Sequence, residues 1–188
     1  MFTKDGIKEL HGWTHESLDI LLQHISSVPV EPLHTTLTGF GIPTIWRQLV
    51  HILTVEEGWI CDLQEKPFAG WHEEDCPTLT ALLEAKERVR TATLAYVEGL
   101  SEEQLNRVLE KRPEGWWGEL RSPAFILLHV VTHTFHHKGQ SSRCCGRLVI
   151  PRQIRTCRGA EGELRRVLQV LVRRFRGKPN KRATKLGQ

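Results

Sequence analysis

His129-Val-Val-Thr-His133-Thr-Phe-His136-His137 places four of the chain's ten histidines within nine positions. Phe125-Ile-Leu-Leu before it and Val130-Val131 within it are apolar and contain no Gly or Pro, so the stretch reads as helix. His129, His133 and His137 recur every four residues and therefore share one helix face, with about 6 Å of rise per step. Two neutral imidazoles at that spacing can grip one divalent ion, as in other helical His-x-x-x-His sites. All three cannot, because His129 and His137 are separated by about 12 Å of rise. The pair His133 and His137 therefore needs a third ligand from elsewhere in the chain.

His51 is the candidate for that third ligand. Ile45, Leu49, Ile52, Leu53, Val55 and Ile60 follow a rough helical spacing, and His51 sits among them. A lone histidine on an apolar helix face is more often a hydrogen-bonded core residue than a ligand, so His51 gains weight only beside the pair. Three nitrogens together leave a fourth position open, which is the arrangement of a catalytic rather than a structural metal. Glu56, five residues on from His51, is the nearest candidate for acid–base work by helical position.

A helix carrying His51 with Glu56 and Trp59 downstream, then a later helix reading His-x-x-x-His-x-x-His-His-Lys-Gly-Gln, resembles the DinB/YfiT superfamily of metal-binding four-helix bundles. The resemblance covers about residues 7–140 and is specific at its end, where that family shows His-His-Arg-Gly-Gln. Lys138 stands in place of the Arg and keeps the charge without the planar fork. The resemblance implies His51, His133 and His137 as metal ligands. His129 and His136 match positions that are often histidine there but are not the usual ligands, and they read as supporting or surface groups. The fold it implies is all-α, an up-down-down-up four-helix bundle. The activity it implies is a metal-dependent transfer of a low-molecular-weight thiol, such as bacillithiol or mycothiol, to an electrophilic small molecule. The cofactors would be a divalent ion (zinc, nickel, iron or manganese, with imidazole equally suited to copper) and the thiol itself. A homodimer is also common in such bundles. A metal-dependent hydrolase, with the ion activating water, is the alternative enzyme class.

Composition and length fit one domain. At 188 residues the chain is long enough for one good core and short for two, with the 39% hydrophobic and 26% charged content of an ordinary globular protein. No run approaches 18 apolar residues and the first residues lack the layout of a secretory leader, so the cytoplasm is the expected compartment. Five cysteines without a scaffold pattern fit a reducing environment, and no Cys-x-x-Cys pair supports a zinc ribbon.

The elements that must position the histidines follow from periodicity and punctuation. Helix one is expected over about 7–26, with Leu10, Leu18, Leu21, Leu22 and Ile25 on its apolar face. Residues 35–42 form a loop, and Pro43 opens the helix that carries His51 and ends near Leu63. Residues 66–75 form a polar connection that could overhang the site. Pro77 opens helix three, with Leu79, Leu82, Leu83, Val89 and Val97 facing the core and Gly99 closing it in a left-handed conformation. Ser101 to Gln104 has capping-box spacing for a short helix to about Glu110. Trp116 and Trp117 lie in a loop where they could cover a site or simply pack. Ser122-Pro123 caps and opens the last helix.

The charge is split. Residues 1–140 hold 12 Lys and Arg against 20 Asp and Glu, a net of −8, whereas residues 141–188 hold 14 against 2, a net of +12. The expected organisation is therefore a bundle domain over 1–140 and a basic extension over 141–188. One explanation of the abrupt change is a reading-frame shift near codon 141. Taken at face value, Leu164, Val167, Leu168, Leu171, Val172 and Phe175 form an amphipathic stripe, predicting an extra basic helix over about 160–176 before a disordered end. Such a helix can dock on the acidic body, and a membrane surface or nucleic acid is the non-enzymatic alternative.

Overall fold

The computed structural model describes residues 1–111, 119 and 121–148. Among them the chain forms five helices and no strand: α1 (Lys4–Ile25), α2 (Ile45–Leu63), α3 (Leu79–Gly99), the short α4 (Glu102–Asn106) and α5 (Pro123–Arg147). All five fall within one compact unit, Met1–Arg152. The stripe expected over 160–176, Cys157, Trp116 and Trp117 lie outside the described residues. No described helix is long and apolar enough to cross a membrane.

Side-chain oxygens set the helix starts. Thr3, Thr44, Thr78 and Ser122 each accept a hydrogen bond from the backbone N–H three residues on, and Ser101 and Gln104 complete a reciprocal capping box. Each such cap is worth about 1 kcal/mol. Because Thr44 and Thr78 are the caps, Pro43 and Pro77 lie just outside their helices, two positions before the first helical residue; of the three, only Pro123 occupies the first turn. α3 does end at Gly99, but without a left-handed glycine: the chain leaves through an extended Leu100. α4 stops at Asn106, short of Glu110, where the Asn106 side chain bonds back to Phe2 on both its N–H and carbonyl.

Cross-helix pairs fix the topology. Trp13 meets Phe135, and Ser17 accepts a hydrogen bond from Lys138, so α1 and α5 run parallel. Gln48 meets Gln140 while Trp59 meets His129, so α2 runs antiparallel to α5. Asp19 pairs with Lys86 and Lys8 with Glu98, so α3 runs antiparallel to α1. The result is an all-α bundle with up-down-down-up order, in which the long connections before α2 and α3 let those two helices point the same way.

The apolar core comes in two parts. One joins Leu18, Leu21, Leu22 and Ile25 of α1 to Trp46, Leu49, Ile52 and Leu53 of α2, Leu82 and Val89 of α3, and Cys144 and Cys145 of α5. The other joins Ile7, Ile60, Val97, Leu105, Ala124 and Leu127. Along each helix the residues between these clusters include buried polar groups: His11, Thr14 and His15 on α1, Glu56 on α2, Thr93 on α3, and Thr134 and His137 on α5. A polar layer thus crosses the middle of the bundle. Two positions depart from the expected apolar faces. Leu83 is 39% exposed, and the buried α3 face is instead continued by Lys86, whose ammonium reaches Asp19 and Glu87 at 2.8 Å. Leu10 is only half-buried, with His11 taking the inward position beside it.

α5 does not stop at the charge boundary. It continues through residue 140 to Arg147, burying Ser141, Cys144 and Cys145. Cys61, Cys76, Cys144 and Cys145 are all free thiols.

Candidate metal centre

His133 and His137 point from the same face of α5 because a four-residue step nearly closes a helical turn. α2, antiparallel beside them, delivers His51. The three rings converge: centroid separations are 5.0 Å for His51 and His133, 4.6 Å for His51 and His137, and 4.4 Å for His133 and His137. The Nε2 atoms of His51 and His133 lie 3.2 Å apart. Two nitrogens bound to one tetrahedral ion at about 2.0–2.1 Å would be separated by roughly 3.3 Å, so this pair is already at ligand spacing. One donor atom from each ring lies within 4.8 Å of the others. His137 is buried, and His51 and His133 are half-buried, which leaves an approach from outside.

The electrostatics favour neutral rings. Burial pushes the His133 imidazolium down to about 3, with the charges of His137, His51, His129 and His136 adding to it. Burial, then His51 and His136, lower His137 to about 4. His51 is lowered as well, by burial first and then by Arg47. Three imidazoles that resist protonation are lone-pair donors near neutral pH, which is the state a cation needs.

A second layer fixes how His137 presents itself. Its Nδ1 bonds to the Gln48 side-chain oxygen. The Gln48 amide N–H groups are committed to the Ile42 carbonyl at 2.6 Å and to the Gln140 side-chain oxygen at 2.7 Å. With both its donors so placed, Gln48 must present its oxygen to His137, so Nδ1 carries the proton and Nε2 keeps the lone pair. Gln140 in turn donates to His136 at 2.6 Å. The exposed His136 thus belongs to the supporting layer, and His129 sits one turn away, 6.0 Å from His133 and edge-on to Trp59.

Glu56 is placed elsewhere. Its carboxylate is 1% exposed and belongs to a second cluster, with His11 and His15 of α1 and Thr93 of α3. The Nε2 of His11 is 2.6 Å from Oε1, that of His15 is 3.0 Å from Oε2, and the Thr93 hydroxyl donates to Oε1 at 2.7 Å. Burial alone would raise this carboxyl, but the hydrogen bonds and charges of His11 and His15 outweigh it and hold the group ionised, well below the ordinary range. Five residues along a helix is about 500°, so Glu56 projects roughly 140° around α2 from His51, toward α1 and α3 rather than α5. The same rotation removes Glu56 from the three-histidine centre, despite its closeness to His51 in sequence. His11 and His15 were legible as another His-x-x-x-His pair; Gln48, three residues before His51, carried no signal beyond sharing its face.

Comparison with known proteins agrees with this architecture. The model of the DinB family matches residues 1–145. Among solved structures, a conserved protein from Enterococcus faecalis superposes with a TM-score of 0.60 at 17% identity, covering 81% of this chain and 99% of that one. At that identity the likeness bears on the fold alone. No curated protein matches this chain.

Proposed function

Because this chain belongs to the DinB family, we propose that it is a metal-dependent transferase that joins a low-molecular-weight thiol to an electrophilic substrate, with His51, His133 and His137 holding the ion. The observation that carries this reading is the convergence of three imidazoles from two helices, two of them only half-buried. The donor set suits a d-block divalent cation far better than calcium or magnesium, which prefer oxygen. Such an ion, when bound, lowers the pKa of a thiol beside it and so supplies thiolate near neutral pH.

The chain's own residues do the rest. Gln48 keeps the His137 lone pair on Nε2, and Gln140 with the Ile42 carbonyl keeps Gln48 from turning over. Trp59 and His129 provide an aromatic edge one turn away, suited to the apolar part of a substrate. Glu56 has no acid–base role in this reading, because both its oxygens are engaged by the other cluster.

The test is an assay of metal-loaded protein with a bacillithiol-like thiol and an electrophile, beside simple ester and amide substrates. Thiol-dependent product formation that disappears in His133→Ala is the expected result. Ester or amide turnover without thiol would transfer the site to hydrolysis, and no turnover in either assay would leave the transferase reading without support.

A further inference from the structure

We propose that His11, His15 and Glu56 form a second divalent-metal site, structural in character and separate from the three-histidine centre. Its donors come from two helices that cross the bundle's polar layer. His11 and His15 stand one turn apart on α1, and both Nε2 atoms face the Glu56 carboxylate of α2. The separations of His15 Nε2 from the two carboxylate oxygens, 3.3 and 3.0 Å, are close to the roughly 3.3 Å expected between ligands of one tetrahedral ion. Only His11, at 2.6 Å, must retreat slightly to admit one.

Charge and tautomer point the same way. Glu56 is buried and ionised, and its hydrogen-bonding partners among the described residues are His11, His15 and Thr93, none of them a Lys or Arg. A buried carboxylate is costly without a compensating cation, and a divalent ion inside the cluster would supply one without a proton on either ring. Both Nδ1 atoms lack a hydrogen-bond partner, so each ring is tied only through its Nε2, which donates to the ionised Glu56. A cation seated beside the carboxylate would take the Nε2 lone pairs, and Nδ1, with no partner to oppose it, can carry each ring's hydrogen instead. Thr93 donates to Oε1 and orients the carboxylate, the usual office of a supporting partner. Two imidazoles and one carboxylate select a cation such as zinc or cobalt over calcium. At 3%, 2% and 1% exposure these residues leave no approach for a substrate, which marks the site as structural.

The site shares no ligand with the three-histidine centre, so the two can be separated in one experiment. The full chain carrying His51→Ala and His133→Ala is equilibrated with Zn(II), freed of loosely held ion and analysed for metal. About one zinc per chain should remain, released slowly to a chelator and accompanied by a higher melting temperature. Adding Glu56→Gln or His15→Asn should abolish retention. Co(II) in place of zinc should show a visible spectrum without a thiolate charge-transfer band, and this arm decides should the added substitutions unfold the chain. Zinc lost entirely from the double variant would mean that the cluster balances its charge with a proton, and would overturn the proposal. So would retention that survives both added substitutions, or a thiolate band placing the ion on cysteine. Failure of the three-histidine reading looks different: wild type and double variant would then retain the same single ion.

Discussion

Two of the bundle's His-x-x-x-His pairs, His133 with His137 and His11 with His15, end in different chemistry. On α5 the pair meets a third histidine across an antiparallel neighbour, stays partly open, and is supported by a glutamine. On α1 the pair meets a glutamate and a threonine and is sealed. The spacing is the same in both. What differs is the residue brought opposite by the second helix and the depth at which the pair sits. Depth lowers the proton affinity of the α5 rings, while the carboxylate opposite the α1 rings ties their Nε2 atoms into a charged network. A four-residue histidine spacing therefore gives a pair its geometry, and its surroundings give it a role.

Removing a ligand from the open centre is the sharpest way to break the contrast. His133→Ala should release the metal held there by more than the roughly 10–100-fold typical of a supporting partner, and abolish thiol transfer. Elemental analysis and chelator competition beside wild type measure it; equal metal content in both would remove the open centre from the comparison. Gln48→Met keeps the volume and removes the oxygen that holds His137, so metal affinity should fall by about 10–100-fold with the helical content unchanged. Unaltered affinity in that variant would mean that the His137 tautomer needs no support.

The sealed cluster should answer in stability rather than in transferase activity. In metal-free protein, Glu56→Gln replaces an ionised acceptor of three hydrogen bonds and should cost about 1–3 kcal/mol, a melting-temperature drop of roughly 2–12 °C. Thr93→Val removes one of those three donors and should cost about 1 kcal/mol, the smaller effect of the pair. Thermal melts followed by circular dichroism compare them; a Thr93→Val loss as large as that of Glu56→Gln would argue that packing and not the carboxylate dominates.

Acid should separate the regions by pH, in the metal-free protein. Folded His133 and His137 titrate at about 3 and about 4, below the ordinary 6.5, so the unfolded chain binds more protons once the pH drops under 6.5. The stability they contribute is full above that value and is lost progressively as pH falls toward their folded values. Glu56 is depressed from 4.5, so its contribution holds until the pH passes below that point. Urea midpoints should therefore begin to fall below pH 6.5, and a His133→Ala, His137→Ala variant should hold its midpoint further into acid. Identical curves for the two proteins would contradict the depressed affinity of the open centre.

Much of this was legible along the chain. Ser122-Pro123 and the Ser101 to Gln104 capping box announced their helices because caps act within one turn, and the apolar spacing on α1 and α2 located most of the main core. Departures from the periodicity have local causes too. Leu83 fits the apolar period of α3 yet lies outward, because the long stem of Lys86 fills the inward position and delivers its charge to Asp19. Glu56 looked close to His51 in sequence, yet its rotation around α2 turns it toward α1.

By itself the sequence determined which residues share a helix face, since a four-residue step returns a side chain to the same side of any α-helix. It therefore specified both histidine pairs, the caps and the apolar stripes. Only the tertiary structure decided what each pair faces. That choice depends on the relative rotation and direction of helices far apart in the chain, set by the packing of the two apolar clusters around the polar layer. His51 opposite one pair and Glu56 opposite the other is a property of that packing, and no spacing within a single helix encodes it.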